Sequence, residues 1–178
     1  DIPEVYICDP KNSDLSQLSH YFAETHVSSS LNGIAKICRL VVEEMEARYE
    51  FMQENFKYGS SYVDHDLLPV WLVFDEMGGF QTNGSDKNSK AIVNETMDYI
   101  RQIILKGRQA GVFVLISSQQ MSANTLNTDL RDNLGLRVAL GSNSTEGYKM
   151  VFGSASPTPQ PIEEKGAGFL YLQGSGKE

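Results

Sequence analysis

Cysteine is almost missing from this 178-residue chain: Cys8 and Cys38 stand far apart and in no C-x-x-C arrangement. Two thiols build no disulfide framework, and such low usage points to a reducing, cytoplasmic compartment. Histidine is scarce too. His20, His26 and His65 have neither H-x-x-x-H nor H-E-x-x-H spacing, so the sequence carries no zinc signature. No apolar run approaches the roughly 18 residues that span a bilayer, and no membrane contact by this segment is expected. Basic residues are in deficit, 15 Lys and Arg against 23 Asp and Glu, a net charge of −8 and a pI near 4.9. That balance excludes a free-standing basic module gripping phosphates over a broad face, but not a small DNA contact inside a larger assembly. Tyr and Phe are interleaved with few bases, which gives no platform for stacking single-stranded nucleic acid. Neither an initiating Met nor a basic-then-apolar leader opens the chain, so it reads as a piece of something longer.

The length suits one domain able to bury roughly two-thirds of its unfolded surface without metals or disulfides. Strand-like and helix-like patterns alternate throughout. Glu4 to Cys8 is a short β-rich run stopped by Asp9-Pro10. Ile34, Cys38, Val41, Met45, Tyr49, Met52 and Phe56 recur at steps of three and four, with Glu43, Glu46 and Glu50 opposite. That pattern predicts a long amphipathic helix, capped by Ser28 to Ser30 and ended by Gly59. Pro69 to Phe74 is a near-continuous apolar strand, followed by Asp75-Glu76. Gly78 to Lys90, almost without apolar residues, predicts a surface loop, and Ala91 to Gln109 a second helix broken by Gly111. Val112 to Ile116 is an all-apolar strand leading into Ser117-Ser118-Gln119. A short helix near Thr125 to Asn133, strands at Leu136 to Leu140 and Gly168 to Leu172, and a helical turn at Thr145 to Val151 complete the expectation. Continuous apolar strands separated by helices imply a mainly parallel α/β sheet with helices on both faces.

Ligands of such sheets bind beyond the carboxyl ends of the strands. Three strands here end in polar groups: Asp9 with Lys11, Asp75 with Glu76, and Ser117 to Gln119. Four hydrophobes followed by Asp-Glu is the pattern of a Walker B strand, in which the Asp orients Mg²⁺ and the Glu polarises an attacking water. An acidic dipeptide after a strand also caps the next turn in many proteins, so the pattern alone leaves both readings open.

Five segments, in order, give the chain a resemblance. Lys106-Gly-Arg-Gln-Ala-Gly-Val-Phe-Val-Leu-Ile-Ser-Ser-Gln119 resembles the helix, glycine turn and sensor strand of the FtsK/SpoIIIE family of DNA-translocating ATPases. Asp9-Pro-Lys-Asn-Ser-Asp-Leu15, Glu44-Met-Glu-Ala-Arg-Tyr49, Leu68 to Glu76 and Gly166-Ala-Gly-Phe-Leu-Tyr-Leu172 are similar to that family's Asp-Pro-Lys, Met-Glu-x-Arg-Tyr, Pro-led Walker B and Gly-x-Gly segments. The resemblance implies that residues 1–178 are a single partial motor domain, a RecA-like P-loop NTPase core truncated before its second core strand. It implies ATP and Mg²⁺ as cofactors, with Asp75 as the metal-orienting residue, Glu76 as the catalytic base and Gln119 as the sensor. Ser118 and Arg108 fall on nucleotide-binding positions, although Arg108 also fits a solvated helix-end arginine favoured by the helix dipole. Double-stranded DNA and a hexameric ring of identical subunits are the implied partners. A conjugative coupling ATPase of type IV secretion type shares these features, and an idle interaction domain could keep the sheet without the chemistry.

Two departures stand out. Ser118-Gln-Gln replaces the family's Thr-Gln-Arg, and Gly141-Ser-Asn-Ser-Thr-Glu146 matches its Ser-Ser-x-x-Asp-Ser-Arg segment only loosely. A P-loop, G-x-x-x-x-G-K-[ST], is missing: in Gly174-Ser-Gly-Lys177 the first required Gly falls at Tyr171 and the Ser/Thr position is Glu178. In the family the P-loop strand lies beside the sensor strand, so Val112 to Ile116 is expected to lack a neighbour, to be closed up by Arg137 to Leu140, by a terminal segment or by a second chain.

Overall fold

The computed structural model describes residues 2–119 and 126–174. In chain order the elements are β1 (Glu4–Cys8), β2 (Val27–Ser28), α1 (Leu31–Glu54), β3 (Val70–Phe74), α2 (Met77–Thr82), α3 (Lys87–Ala110) and β4 (Val112–Ile116). Then follow α4 (Thr128–Asp132), β5 (Leu136–Leu140), α5 (Thr145–Phe152) and β6 (Gly168–Leu172). The chain divides into two compact units, residues 1–119 and 120–178.

In the first unit four parallel strands run in the order β2-β1-β3-β4. Val70, Leu72 and Phe74 of β3 alternate into the core and are fully buried, each contributing about 1.5–3 kcal/mol. α1 lies on this face, with Cys38 against Cys8; burial, and then the Cys38 thiol, pushes the Cys8 thiol up. α2 adds Phe80, whose ring meets that of Phe74 edge-on at 5.2 Å, and α3 packs beside α1. The opposite face of β3 and β4 carries Trp71 and Phe113, rings 5.1 Å apart, with Tyr62 of a short helical turn beside Phe113. α1 and α2 thus cover one face of the sheet, and the short helical turn Tyr62–His65 lies against Phe113 on the other.

Ser30 caps α1, its hydroxyl accepting from the Gly33 N–H, as the serine run predicts. The other end comes earlier than Gly59. Asn55 leaves helical geometry and its amide donates to the Phe51 carbonyl at 2.9 Å, so Phe56 falls outside the apolar stripe and is 75% exposed. The expected loop at Gly78 to Lys90 is mostly helical. Met77 and Phe80, three residues apart, are both buried and hold α2 in place. Asp86 caps α3 by accepting from the Asn88 and Ser89 N–H groups and the Ser89 hydroxyl. Those bonds, the hydroxyl's first, hold its carboxyl below the usual range. Lys87 and Lys90 consequently stand in the first turn of α3 and not in a flexible loop.

In the second unit β5 and β6 pair antiparallel, Leu136 opposite Leu172, so the last two strands do not extend a parallel sheet. Ala139, Tyr148 and Phe152 form its core with Phe169 and Tyr171. Arg137 lies over the Tyr171 ring, 3.9 Å from its centroid. Leu136, Val138, Leu140, Leu170 and Leu172, on the hairpin's other face, are all exposed. The helix expected near Thr125 shortens to α4, and Thr125 lies outside the described residues, as do Gln120 and residues 175–178 of the P-loop look-alike.

Among the described residues β4 is the last strand of the parallel sheet and β5 pairs with β6 in a separate one, so Arg137 to Leu140 does not pair with Val112 to Ile116 as one expectation had it. Leu115 of β4 is 50% exposed. An open apolar edge with unpaired backbone groups recruits another strand. Light scattering of the isolated chain over a concentration series should show a mass that rises with concentration; a constant monomer mass would contradict this.

Candidate active site

The site forms where β1, β3 and β4 end together. Parallel registry puts Cys8 level with Phe74, and Phe74 level with Ile116. The next residues along each strand therefore emerge at the same sheet edge: Asp9 to Lys11, Asp75 with Glu76, and Ser117 to Gln119. Asp75 is tied to β1 through its N–H, which donates to the Cys8 carbonyl at 2.9 Å.

Ser117 organises the two carboxylates. Its hydroxyl donates to Asp75 Oδ1 in a short bond and accepts from the Glu76 N–H at 3.2 Å. Its carbonyl accepts from the Met77 N–H at 3.0 Å, and its own N–H donates to the Phe74 carbonyl at 3.0 Å. Glu76 takes a left-handed backbone conformation, φ 48° and ψ 57°, which costs a non-glycine residue about 1–3 kcal/mol. The turn separates its side chain from that of Asp75. Glu76 Oε2 accepts from the Gln119 N–H at 3.0 Å and lies 3.6 Å from Lys11 Nζ. Thus Gln119 reaches Glu76 through its main chain, and its side chain is exposed. Ser118, which precedes Gln119 in the chain, is half-buried.

The loop carrying Lys11 is pinned by Asp9. Its buried carboxylate Oδ2 accepts from the Ser13 N–H at 2.7 Å, the Ser13 hydroxyl at 3.1 Å and the Ser16 N–H at 3.0 Å. Asn12 then turns the chain with φ 52°.

Arg108 is not brought to this site. It stands in the last turn of α3, before β4 begins, and the site follows the end of that strand. Five residues at roughly 3.3 Å each separate the two by about 17 Å. Arg108 instead lines an open groove of about 490 Å³ with Tyr49, Lys106 and Gln109. The sequence reading noted Ser117 and Lys11 only as polar groups at strand ends. Their signal was registry: once the strands are aligned in parallel, each falls beside an acidic residue of the neighbouring strand.

The donor set fits a nucleotide-borne Mg²⁺. Such an ion needs one or two carboxylates and takes most of its other ligands from phosphates and water. Asp75 offers a carboxylate fixed by a hydroxyl, and no cluster of three or more His, Cys, Asp or Glu exists among the described residues to trap a metal by itself. No segment of the 178 residues has the P-loop pattern that supplies a Lys and backbone N–H groups to phosphates. Isothermal titration of the isolated chain with ATP and Mg²⁺ should therefore give millimolar affinity at best; micromolar binding would contradict this reading.

No family model matches the chain. It is 35% identical over 171 residues to the FtsK domain-containing protein YdcQ of Bacillus subtilis (strain 168), an alignment covering 95% of this chain and 35% of YdcQ. It is 24% identical over 187 residues to the DNA translocase SftA of the same strain, covering 98% of this chain and 18% of SftA. In fold it is similar to the pCW3 conjugation coupling protein TcpA in its monomer form with ATPγS, with a TM-score of 0.78 at 18% identity over 97% of this chain and 50% of that one. The chain thus spans about a third of YdcQ and half of the TcpA chain. No described helix is long and apolar enough to cross a membrane. Five motif segments in order, an α/β fold with a mainly parallel sheet matching a truncated RecA-like core, and these relatives are together consistent with a fragment of the FtsK/SpoIIIE type.

Proposed function

We propose that in the intact protein this segment supplies the metal-orienting and water-activating part of an ATPase that drives double-stranded DNA through a ring of identical subunits, six in number. Residues 1–178 would form part of one motor domain whose P-loop lies elsewhere in the longer chain. The observation that carries the reading is the pair Asp75 and Glu76 at the end of β3, one carboxylate fixed by the Ser117 hydroxyl and the other by the Gln119 N–H.

In this reading Asp75 holds Mg²⁺, which when bound neutralises charge on the phosphates. Glu76 orients the attacking water and takes its proton. Gln119 and Ser118, following β4, report the state of the terminal phosphate to that strand. Because Ser117 touches both Asp75 and the Glu76 backbone, a displacement at the end of β4 reaches both carboxylates.

DNA specificity would not come from this segment's net charge, which is negative. Lys87 and Lys90, now placed on α3, are too few for a phosphate-gripping face. A gel-shift titration of the isolated chain with duplex DNA at physiological salt should show no complex at micromolar protein. The intact protein should raise its ATP turnover on linear duplex DNA and displace a triplex-forming strand from it. ATP turnover indifferent to duplex DNA would favour the coupling-ATPase reading, to which the likeness to TcpA lends support. Absence of turnover altogether would favour the idle interaction domain.

A further inference from the structure

We propose that Lys11 is a binding residue for the terminal phosphate of a nucleoside triphosphate, the group by which this sheet edge tells a triphosphate from a diphosphate. The inference rests on Glu76 acting on a water at that phosphate. Lys11 Nζ stands 3.6 Å from Glu76 Oε2, the oxygen that also accepts the Gln119 N–H. A carboxylate that orients the attacking water has the phosphate one water molecule beyond it, so an ammonium beside the same oxygen borders the phosphate as well.

The chain prepares that place for the lysine. Asp9 gathers the Ser13 and Ser16 donors and Asn12 turns at positive φ, so the loop after β1 is folded back with Lys11 at its tip. Gly79 leaves open the space in which the two side chains meet. A Cβ there would come within 3.2 Å of Glu76 Cγ and 3.7 Å of Lys11 Cε. Glu76 is largely enclosed, with a side chain 12% exposed, and acts as a fixed anchor, whereas the Lys11 side chain is 44% exposed.

The chemistry of the contact gives the class of ligand. At 3.6 Å the pair is longer than the roughly 2.7–2.9 Å of a charge-assisted hydrogen bond. Among the described residues the ammonium therefore commits none of its three N–H donors. A half-exposed ion pair of this length adds little to stability, so the contact positions the lysine more than it holds the fold. Asp9, Asp75 and Glu76 end their strands at one edge, three carboxylates that repel an incoming anion. Lys11 is the cation paired with them among the described residues. An ammonium with unused donors, set against carboxylates, takes a phosphate by charge and hydrogen bonding together. A diphosphate lacks the group that would reach it.

The test measures Kd for ATPγS and for ADP, each with Mg²⁺, by isothermal titration of the intact wild-type protein, Lys11→Met and Lys11→Arg. Lys11→Met should weaken ATPγS binding about ten- to one-hundred-fold, the worth of a hydrogen bond to a charged group, and ADP binding by less than about three-fold. Lys11→Arg keeps the charge and offers donors that suit phosphate, and should bind ATPγS within about three-fold of wild type. An equal loss for both nucleotides in Lys11→Met would make the residue a structural part of its loop and overturn the proposal. Unchanged ATPγS affinity in that variant would do the same, as would a loss in Lys11→Arg as deep as in Lys11→Met. The reading of Glu76 is tested separately: ordinary ATP turnover in Glu76→Gln would take the attacked phosphate away from that carboxylate, and with it the argument that brings the phosphate to Lys11.

Discussion

Glu76→Gln in the intact protein is expected to cut ATP turnover by about 10²–10⁴-fold while nucleotide still binds. The substitution keeps the side chain's size and its acceptor oxygen, so the Gln119 N–H at 3.0 Å retains a partner. What disappears is the negative charge and the capacity to accept a proton. Asp75→Ala separates the two carboxylates' roles. It removes the group fixed by Ser117 and should weaken Mg²⁺-dependent nucleotide binding along with turnover. Single-turnover kinetics with a fluorescent ATP analogue distinguish the outcomes, since binding and hydrolysis are then read separately. Ordinary turnover in Glu76→Gln would leave the acidic pair as a turn cap and place the water-activating base elsewhere in the intact protein.

The strands were the most legible part of this chain. Glu4–Cys8, Val112–Ile116, Leu136–Leu140 and Gly168–Leu172 fall where apolar runs and their Gly, Pro or Asp stops place them. Four or five consecutive β-branched and aromatic residues leave little else to form. Partner choice was less legible. β5 and β6 have the same apolar texture as the parallel strands, yet they pair antiparallel with each other. Their alternation, Leu136, Val138 and Leu140 outward and Ala139 inward, reads as a one-sided strand only when Tyr148 and Phe152 are known to lie beneath. The segment from Gly78 to Lys90 failed for a different reason. α2 is held by only two apolar side chains, Met77 and Phe80, too few to show a helical period among glycines and polar residues. In the site, Asp75 and Glu76 were legible because a local pattern carries them. Lys11 and Ser117 were not, because each acquires its role from a neighbouring strand, and registry cannot be read from one sequence. Arg108 stays apart from the acidic pair within one chain, because it precedes β4 while the polar groups follow that strand.

The Glu44 to Tyr49 segment was recognisable without a reason for its residues, and the fold supplies one that predicts a large loss of stability. Arg48 is mostly buried, and its guanidinium binds three partners at once. Nε donates to Glu44 Oε1 at 2.7 Å, one turn back on α1, and Nη1 donates to the Leu68 carbonyl at 2.7 Å and the Ala110 carbonyl at 3.1 Å. Leu68 lies just before β3 and Ala110 just before β4, so one planar fork fastens α1 to the starts of two adjacent strands. Tyr49 adds a bond from its hydroxyl to the Lys106 carbonyl at 2.5 Å, joining α1 to α3. Arg48→Ala strands the Ala110 carbonyl in a buried setting and removes the arginine's packing, a cost of about 2–3 kcal/mol. For a chain of this size that corresponds to a fall in melting temperature of about 4–12 °C. Arg48→Lys should recover only part of it, because a single ammonium cannot span carbonyls on two strands and Glu44 together. Tyr49→Phe should cost on the order of 1 kcal/mol, the worth of one hydrogen bond. Thermal unfolding followed by circular dichroism ranks the three variants. The clamp predicts the order Arg48→Ala, Arg48→Lys, Tyr49→Phe from most to least destabilised, and an Arg48→Ala melt within a degree or two of wild type would show that these bonds hold nothing together.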